Sequence, residues 1–258
     1  MKDTIKNTYT LVPLHIFGVY SIIKIFEGTA PSWWWLTCII GYVMFKMLGI
    51  GAGYHRLICH KSFKVNRLMK IFILWCGVVS GQGSPIFWCA VHRGYHHRYS
   101  DTIKDLHSPK HGFWHSYILW IFKLNYKTLQ IRSVIDLVKD KEVSFFHNNY
   151  NKIIIISHLV IAMISVNLWL YLMILPCLIS LHSFLSQTSL THISFMGYRN
   201  YDTKDTSVNS IWLFPFILGE AWHNNHHGEG RNPNFGGRNW WELDPTYWLI
   251  KLIESKHV

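Results

Sequence analysis

The chain has 258 residues, half of them apolar and 16% aromatic, and its formal net charge is +11. That length allows one domain or one compact helical membrane unit, and the load of Trp and Tyr favours a membrane, where these residues gather at the interfaces. The five cysteines form no Cys-x-x-Cys pair, which argues against a disulfide framework, a zinc ribbon and an iron–sulfur cluster.

Apolar stretches, taken in chain order, predict four membrane-spanning helices. The first stretch resembles a signal peptide, but Pro13, His15 and Lys24 interrupt it and no small-x-small cleavage site follows, so we interpret it as a retained span. The last two share an uncharged run over 153–196, and we place the turn between them near 167–171. The predicted spans are 11–26, 33–54, 153–171 and 172–194.

Basic residues mark one side of these spans. Lys2 and Lys6 precede the first span, and further Lys and Arg follow the second, precede the third and follow the fourth. By the positive-inside rule, both termini and all three histidine clusters face the cytoplasm. Anionic lipid head groups or an anionic substrate carrier then account for the basic balance, and we predict no nucleic-acid partner. The predicted fold is all-α: an integral membrane, multi-pass protein with four transmembrane helices and a cytoplasmic helical cap.

The predicted organisation is a single domain over 1–258, with the cap over about 55–152 and 195–258. One segment offers an alternative, because 71–91 carries no charge and is long enough to cross. If it crossed, the first two histidine clusters would lie on opposite sides of the membrane. Gly81, Gly83 and Pro85 break its helical pattern, so we expect a helix in the cytoplasmic interface followed by a bend.

Eight histidines fall into three short clusters, each at the end of an apolar stretch. Neutral imidazole binds iron, copper, zinc and nickel, and eight of them suggest more than one ion, because one ion takes about six ligands at most. Residues three and four apart share a helix face, which suits the second and third clusters. His55 and His60 are five apart, so we expect the helix to end or bend between them. The clusters are His55 and His60; His92, His96 and His97; and His223, His226 and His227.

With these clusters the chain resembles the membrane fatty-acid desaturase family. The family's three boxes read His-x4-His, His-x2or3-His-His and His-x2or3-His-His, and all three are present in order. The likeness extends to Arg-Tyr-Ser-Asp at 98–101, Gly-Tyr-Arg-Asn-Tyr-Asp at 197–202 and Trp-Glu-Leu-Asp-Pro at 241–245. It covers about residues 10–255. One departure is the second box, in which three residues, rather than the two of close acyl-CoA desaturases, precede the His doublet.

The resemblance implies a di-iron centre held by nine histidines and a water. Thr188 stands four residues before His192, where the family often has an Asn that holds the metal-bound water, and a hydroxyl can also hold a water. The implied ligands are His55, His60, His92, His97 and His226 for one iron, and His96, His192, His223 and His227 for the other.

The resemblance also assigns residues around the centre. Gln82 and Trp88 precede the second box at spacings similar to those of residues that line the bent acyl tunnel of acyl-CoA desaturases, although ordinary interfacial packing explains them equally well. Asp101, Asp105 and His107 follow that box and are candidates to orient imidazole rings. For the acids, a role as solvated loop residues is the alternative.

The implied activity is the O2-dependent introduction of a cis double bond into a saturated fatty acyl chain, by default Δ9-type on acyl-CoA or a similar thioester; an acyl carrier protein or a lipid is the alternative carrier. The chain has no flavin, haem-attachment or iron–sulfur motif, so two electrons must come from a separate donor. A ferredoxin or a b-type cytochrome with its reductase would suit the basic cytoplasmic face.

Two other functions remain open at this stage. A di-iron hydroxylase or monooxygenase of an acyl chain or other lipid shares the three boxes, but the sequences that flank them favour a desaturase. The alternative of another class is a non-catalytic membrane protein that binds or transports metal. Transporters usually place polar ligands at mid-membrane depth, whereas these clusters lie at the ends of spans.

Overall fold

The computed structural model describes residues 8–124 and 129–255. These residues form helices and loops with no β-strand, apart from isolated bridges such as Tyr198 with Asn209. The all-α fold is therefore confirmed for this part of the chain, whereas Lys2 and Lys6, used in the topology prediction, lie outside it. The main helices are α1 (Thr8–Phe26), α2 (Trp34–Cys59), α3 (Arg67–Val79), α4 (Pro85–Val91), α5 (Lys141–Asn148), α6 (Tyr150–Ile164), α7 (Val166–Leu190), α8 (His223–Gly228) and α9 (Pro245–Ile253).

Two of the described helices are long and apolar enough to cross a membrane. They are α2, with 26 residues, and α7, with 25 residues. At 1.5 Å per residue, a helix of this length extends about 37–39 Å, which exceeds the hydrocarbon core of about 30 Å. The apolar parts of α1 and α6 are shorter, at Thr10–Phe26 and Tyr150–Ile164.

The turn between α6 and α7 lies at Ser165, and the prediction that placed it near 167–171 is wrong. Ser165 has an extended backbone, and its hydroxyl accepts a hydrogen bond from the Leu168 N–H, which caps the start of α7. The prediction divided an uncharged run by span length, whereas the chain turns at a local serine cap. The predicted boundaries 153–171 and 172–194 are therefore replaced by those of α6 and α7.

The segment 71–91 begins within α3 and ends with α4, and the predicted bend lies between these two helices. Gly81 and Gly83 have φ of +76° and +101°, in the left-handed region that glycine tolerates and a helix does not use. Helix α3 has 13 residues and packs closely on α2. A Cβ added at Gly49 of α2 would lie 2.7 Å from the backbone nitrogen of Gly77. A larger residue would push these helices apart.

Large apolar side chains remain exposed along α1 and α6. On α1 they recur at helical spacing as Val12, Ile16, Val19 and Ile23. On α6 they include Ile155, Leu159 and Met163. Contiguous exposed apolar rows of this length mark a surface that another apolar phase covers. Together with α2 and α7, they fit association with a membrane.

The segments outside the apolar helices form a layer of short helices and loops. Within it, Asp244 caps α9 by accepting a hydrogen bond from the Tyr247 N–H at 3.0 Å. Asp244 also accepts from Arg56 of α2 at 2.6 Å. The C-terminal segment is thereby joined to the end of α2 that carries the first histidine cluster.

Candidate metal centre

The winding of α2 explains how its two histidines meet. From Val43 to Cys59 this helix is a π-helix, in which the N–H of one residue bonds to the carbonyl five residues earlier. The N–H of His60, just past the last helical residue, donates to the His55 carbonyl at 3.0 Å. Residues five apart therefore share a face. The helix does end between the two histidines, but it is the wider turn, which we did not predict, that brings them together.

The second cluster uses the same device. Helix α4 passes into a π-helical turn at His92–His96, and the His97 N–H bonds to the His92 carbonyl. His92 and His97 thus lie together, with their Nε2 atoms 3.0 Å apart. His96 faces the other way, and its Nε2 lies 3.2 Å from that of His227. The wider turn accommodates the extra residue in this box.

The third cluster divides in the same manner. On α8, His223 and His227 are four apart and their Nε2 atoms lie 3.1 Å apart. His226 faces the opposite way, with its Nε2 3.0 Å from that of His55. A ninth histidine, His192, follows α7 and places its Nε2 3.1 Å from that of His223. Spacing alone did not indicate this residue; the family resemblance did.

The nine histidines form two groups. Within each group, one nitrogen from every ring lies within 4.8 Å of the others. The partition is the same as the one that the desaturase resemblance implies. The groups are His55, His60, His92, His97 and His226, and His96, His192, His223 and His227. Five and four converging imidazoles have the composition of two adjacent transition-metal sites.

Four of the nine imidazoles direct Nδ1 at a carboxylate. Such a contact fixes the tautomer, because the carboxylate accepts the Nδ1–H and leaves the Nε2 lone pair free for a metal. Glu220 and Asp205 were missed by the sequence analysis; the available signal for Glu220 was an acid in an apolar stretch three residues before the third box. The pairs are His55 with Glu220 at 2.7 Å, His96 with Asp105 at 3.1 Å, His192 with Asp101 at 3.2 Å and His227 with Asp205 at 2.7 Å.

The donor set fits a metal ion between the rings. His96 and His227 both donate Nδ1–H to a carboxylate, so both Nε2 atoms carry lone pairs, and these face each other at 3.2 Å. Two lone pairs at that distance repel unless a cation lies between them. Two nitrogens bound at right angles to one ion through bonds of about 2.1 Å would be about 3.0 Å apart. The observed separations match that arrangement.

Burial keeps the imidazoles in the form that binds metal. It lowers the pKa of His227 to about 4 and that of His60 to about 2, from the ordinary 6.5. Burial alone would raise the pKa of Asp205, but the neighbouring imidazole of His227 outweighs it and holds that pKa below its usual value. At neutral pH the rings are therefore uncharged and the carboxylate is ionised.

A buried ion network holds the first group against α2. The Arg56 side chain is fully buried and donates to Asp244 at 2.6 Å and to Glu220 at 2.9 Å. Its guanidinium carbon also lies 3.7 Å from the centroid of the Phe235 ring. Because Glu220 accepts from His55 as well, one carboxylate links the arginine to the metal-facing imidazole. Removing it would leave a buried positive charge with one partner fewer.

An apolar cavity reaches the centre at His92. Trp88 forms part of its wall and stacks on the His92 ring, with centroids 5.0 Å apart. Gln82 also lines it and donates through Nε2 to Ser180 at 2.8 Å. His107 lines the cavity too, and its ring lies 4.7 Å from that of His96. The apolar lining comes mainly from Leu11, Phe87, Val91, Ile121, Leu181 and Phe184.

Polar side chains near the end of α7 complete the surroundings. The Thr188 hydroxyl donates to the Leu185 carbonyl at 3.2 Å, within its own helix. The preceding residue, Gln187, contacts the centre instead: its Nε2 lies 3.2 Å from Glu220 Oε2 and 3.4 Å from His223 Nδ1. Gln187 was not among the residues expected from the sequence.

Comparison with known proteins agrees with this geometry. The chain is 34% identical over 211 residues, which are 80% of this chain and 68% of the relative, to delta-9 acyl-lipid desaturase 1 of Arabidopsis thaliana. It is 32% identical over 245 residues, 93% of this chain and 85% of the relative, to sn-2 palmitoyl-lipid 9-desaturase of Nostoc sp. (strain 36). It is 29% identical, over 96% of this chain and 80% of the relative, to acyl-CoA C20 delta5-desaturase of Anemone leveillei.

The sequence model of the fatty acid desaturase family matches residues 31–257, a range that includes all nine histidines. The chain therefore belongs to the fatty acid desaturase family and is an oxidoreductase that desaturates fatty acids.

Proposed function

We propose that the protein introduces a cis double bond into a saturated acyl chain, Δ9-type on acyl-CoA or a similar thioester, with dioxygen and two electrons from a separate donor. The observation that carries this proposal is the apolar cavity that ends at His92, one of nine converging imidazoles. Relatives named for 9-desaturation of lipid-bound chains and for acyl-CoA support the reaction class. An acyl carrier protein or a lipid would serve the same cavity.

Two iron ions are the cofactors of the proposed reaction. The group with His55 would hold one iron and the group with His96 the other, and a water held by Thr188 would complete the set. The Thr188 hydroxyl uses its proton on a carbonyl but keeps lone pairs that a water can donate to. When bound, the two irons would supply the activation of dioxygen, which is the oxidant that takes two hydrogens from adjacent methylene carbons.

The protein's own residues bind and position the chain. The apolar wall favours an alkyl chain and excludes water, and Trp88 beside His92 restricts which carbons come close to the centre. Phe184 packs on Trp88 with ring centroids 5.5 Å apart, which fixes the indole in place. Gln82 lies on the same wall and would mark the bend of the chain. Asp101 and Asp105 would orient the imidazoles that they contact.

We propose that α1, α2, α6 and α7 all span the bilayer and that the remaining segments form a cap on the cytoplasmic side. The exposed apolar rows on α1 and α6 support two further spans besides α2 and α7, because these rows would face lipid. A span as short as α6 is accommodated by local thinning of the bilayer. In this arrangement 1–258 is one domain, both termini and the metal centre are cytoplasmic, and a soluble ferredoxin or b-type cytochrome reaches the centre from that side.

The test is expression of the full chain in a host of known lipid profile, with gas chromatography–mass spectrometry of the fatty acids. A new monounsaturated acid that is absent with His223→Ala supports the proposal, and its fragmentation locates the double bond. A hydroxy acid instead would assign the hydroxylase reaction. Iron analysis of both proteins is the second measurement, because a protein without bound iron contradicts the proposed cofactor.

A further inference from the structure

Not all of the nine histidines are equally enclosed. His60, His97 and His227 retain partial exposure, whereas the other six are buried. His60 and His97, together with His227, line a solvent-open groove. None of these three lines the apolar cavity, which reaches the centre at His92. The centre is therefore approached from two directions through different imidazoles.

The wall of this groove is cationic. Lys61, Arg93 and Arg231 line it together with the single acid Asp136. Asp136 is shared between Lys61 at 2.6 Å and Arg93 at 2.8 Å. Three cations and one carboxylate leave a net charge of +2. Lys61 and Arg231 are exposed, so their charges can meet an acidic surface.

Gly230 has no side chain to cover the imidazole of His60 at the base of the groove. A Cβ added at Gly230 would lie 3.6 Å from Nδ1 of His60. The glycine thus leaves the edge of this imidazole uncovered where a side chain would shield it. A partner that enters the groove comes within van der Waals reach of a ring in the first histidine group.

We propose that the groove lined by His60, His97, Lys61, Arg93 and Arg231 is the docking and electron-entry site for an acidic one-electron carrier protein. The inference rests on the proposed function. Each docked carrier loses one electron, and two such transfers reduce a two-iron centre by two electrons; docking itself makes or breaks no covalent bond. The substrate occupies the other, apolar approach at His92, so donor and acyl chain bind without competing.

The test is the rate at which a reduced donor is oxidised by the iron-loaded full-length enzyme without oxygen, followed by stopped-flow absorbance of the donor. The probes are a plant-type ferredoxin and the soluble haem domain of a b-type cytochrome. The double variant Lys61→Glu with Arg231→Glu should slow the faster probe about tenfold or more at low salt and flatten its salt dependence, because rim charges act mainly on association. Iron content and reduction by dithionite should stay at the wild-type level.

The control is Lys110→Glu with Lys251→Glu, which has the same change in net charge at exposed residues outside the groove. The rate at which it oxidises the reduced carrier should lie within threefold of the wild-type rate. Gly230→Trp fills the groove without removing a charge. It should also slow oxidation of the reduced carrier, but it should not change the reduction of the iron by dithionite. Equal rates for wild type and the groove double variant would overturn the proposal. So would a wild-type centre that dithionite reduces and neither carrier does.

Failure of the proposed desaturase function gives a different result from failure of the docking proposal. In that case the wild-type enzyme forms no desaturated product and binds no iron that dithionite can reduce. A docking failure leaves both the iron and its reduction by dithionite intact.

Discussion

The Nδ1–H of His55 donates to Glu220 at 2.7 Å, although 165 residues separate the two in the chain. The other oxygen of Glu220 accepts from the fully buried Arg56 at 2.9 Å. Burial raises the pKa of Glu220, but His55 and Arg56 outweigh that effect and hold the pKa below its usual range. An ionised carboxylate therefore both orients an imidazole of the centre and compensates a buried cation.

Glu220→Gln should reduce bound iron and desaturase activity by about tenfold to a hundredfold, because the amide keeps the shape but loses the charge that orients His55. It should also lower the thermal stability of the protein, since Arg56 is left with Asp244 as its only carboxylate. Iron analysis, product formation and thermal unfolding test this. Glu254→Gln, at an acid that pairs with the exposed Lys251 and belongs to neither histidine group, serves as the control. Iron and activity within twofold of wild type would contradict this role for Glu220.

Asp205→Asn should weaken the second iron site. Asp205 accepts from His227 Nδ1 at 2.7 Å, so its loss frees the ring to adopt the other tautomer and orientation. We expect a fall of about tenfold or more in iron affinity, measured by competition with a chelator. Asp202→Asn is the matched control, because Asp202 lies in the same loop and is exposed. If both variants lose iron equally, the contact with His227 is not the cause.

The local parts of this structure were predictable and the long-range parts were not. The helices and the three histidine clusters follow from hydropathy and spacing within about 20 residues. The turn at Ser165 was misplaced because a single side chain that caps the start of α7, not a change of hydropathy, marks it. The contact of Glu220 with His55 joins segments far apart in the chain, so no local pattern reports it.

The geometry of the first histidine cluster shows a second reason why the sequence did not predict the whole site. The sequence predicted that His55 and His60 share a site, but it attributed this to a helix end. The i to i+5 winding of α2 occurs where this helix packs closely against α3 and Gly49 admits the backbone at Gly77. A one-dimensional pattern scored for 3.6 residues per turn does not detect such a turn. The resemblance to a known family, rather than periodicity, identified His192.

His192→Ala should lower bound iron by about half or more and abolish desaturation, because it removes one of the four nitrogens in the second group. Iron per protein by mass spectrometry and product by gas chromatography measure the two effects. His111→Ala is the comparison: His111 is exposed and donates to the Ile103 carbonyl, outside both groups. Full iron in His192→Ala would exclude this histidine as a ligand.

Ile121→Trp should obstruct the apolar cavity that ends at His92. Ile121 lines that cavity, and the larger ring would occupy space that the proposed acyl chain needs. If the acyl chain meets a steric cost of about 1–3 kcal/mol, of the size that overpacking has in protein cores, kcat/KM for a long chain should fall by about fivefold to a hundredfold. Bound iron should not change, because Ile121 packs among apolar side chains and supplies no nitrogen to either histidine group.

The adjacent Phe122 gives a matched control for this variant. Phe122 is 50% exposed and does not line the cavity, so Phe122→Trp adds bulk to the same helix without filling the acyl path. It should keep kcat/KM within about twofold of wild type. If Ile121→Trp and Phe122→Trp convert long chains equally well, the cavity at His92 does not hold the substrate. If Ile121→Trp shifts the double bond or favours shorter chains at full iron content, the cavity sets which methylene carbons reach the centre.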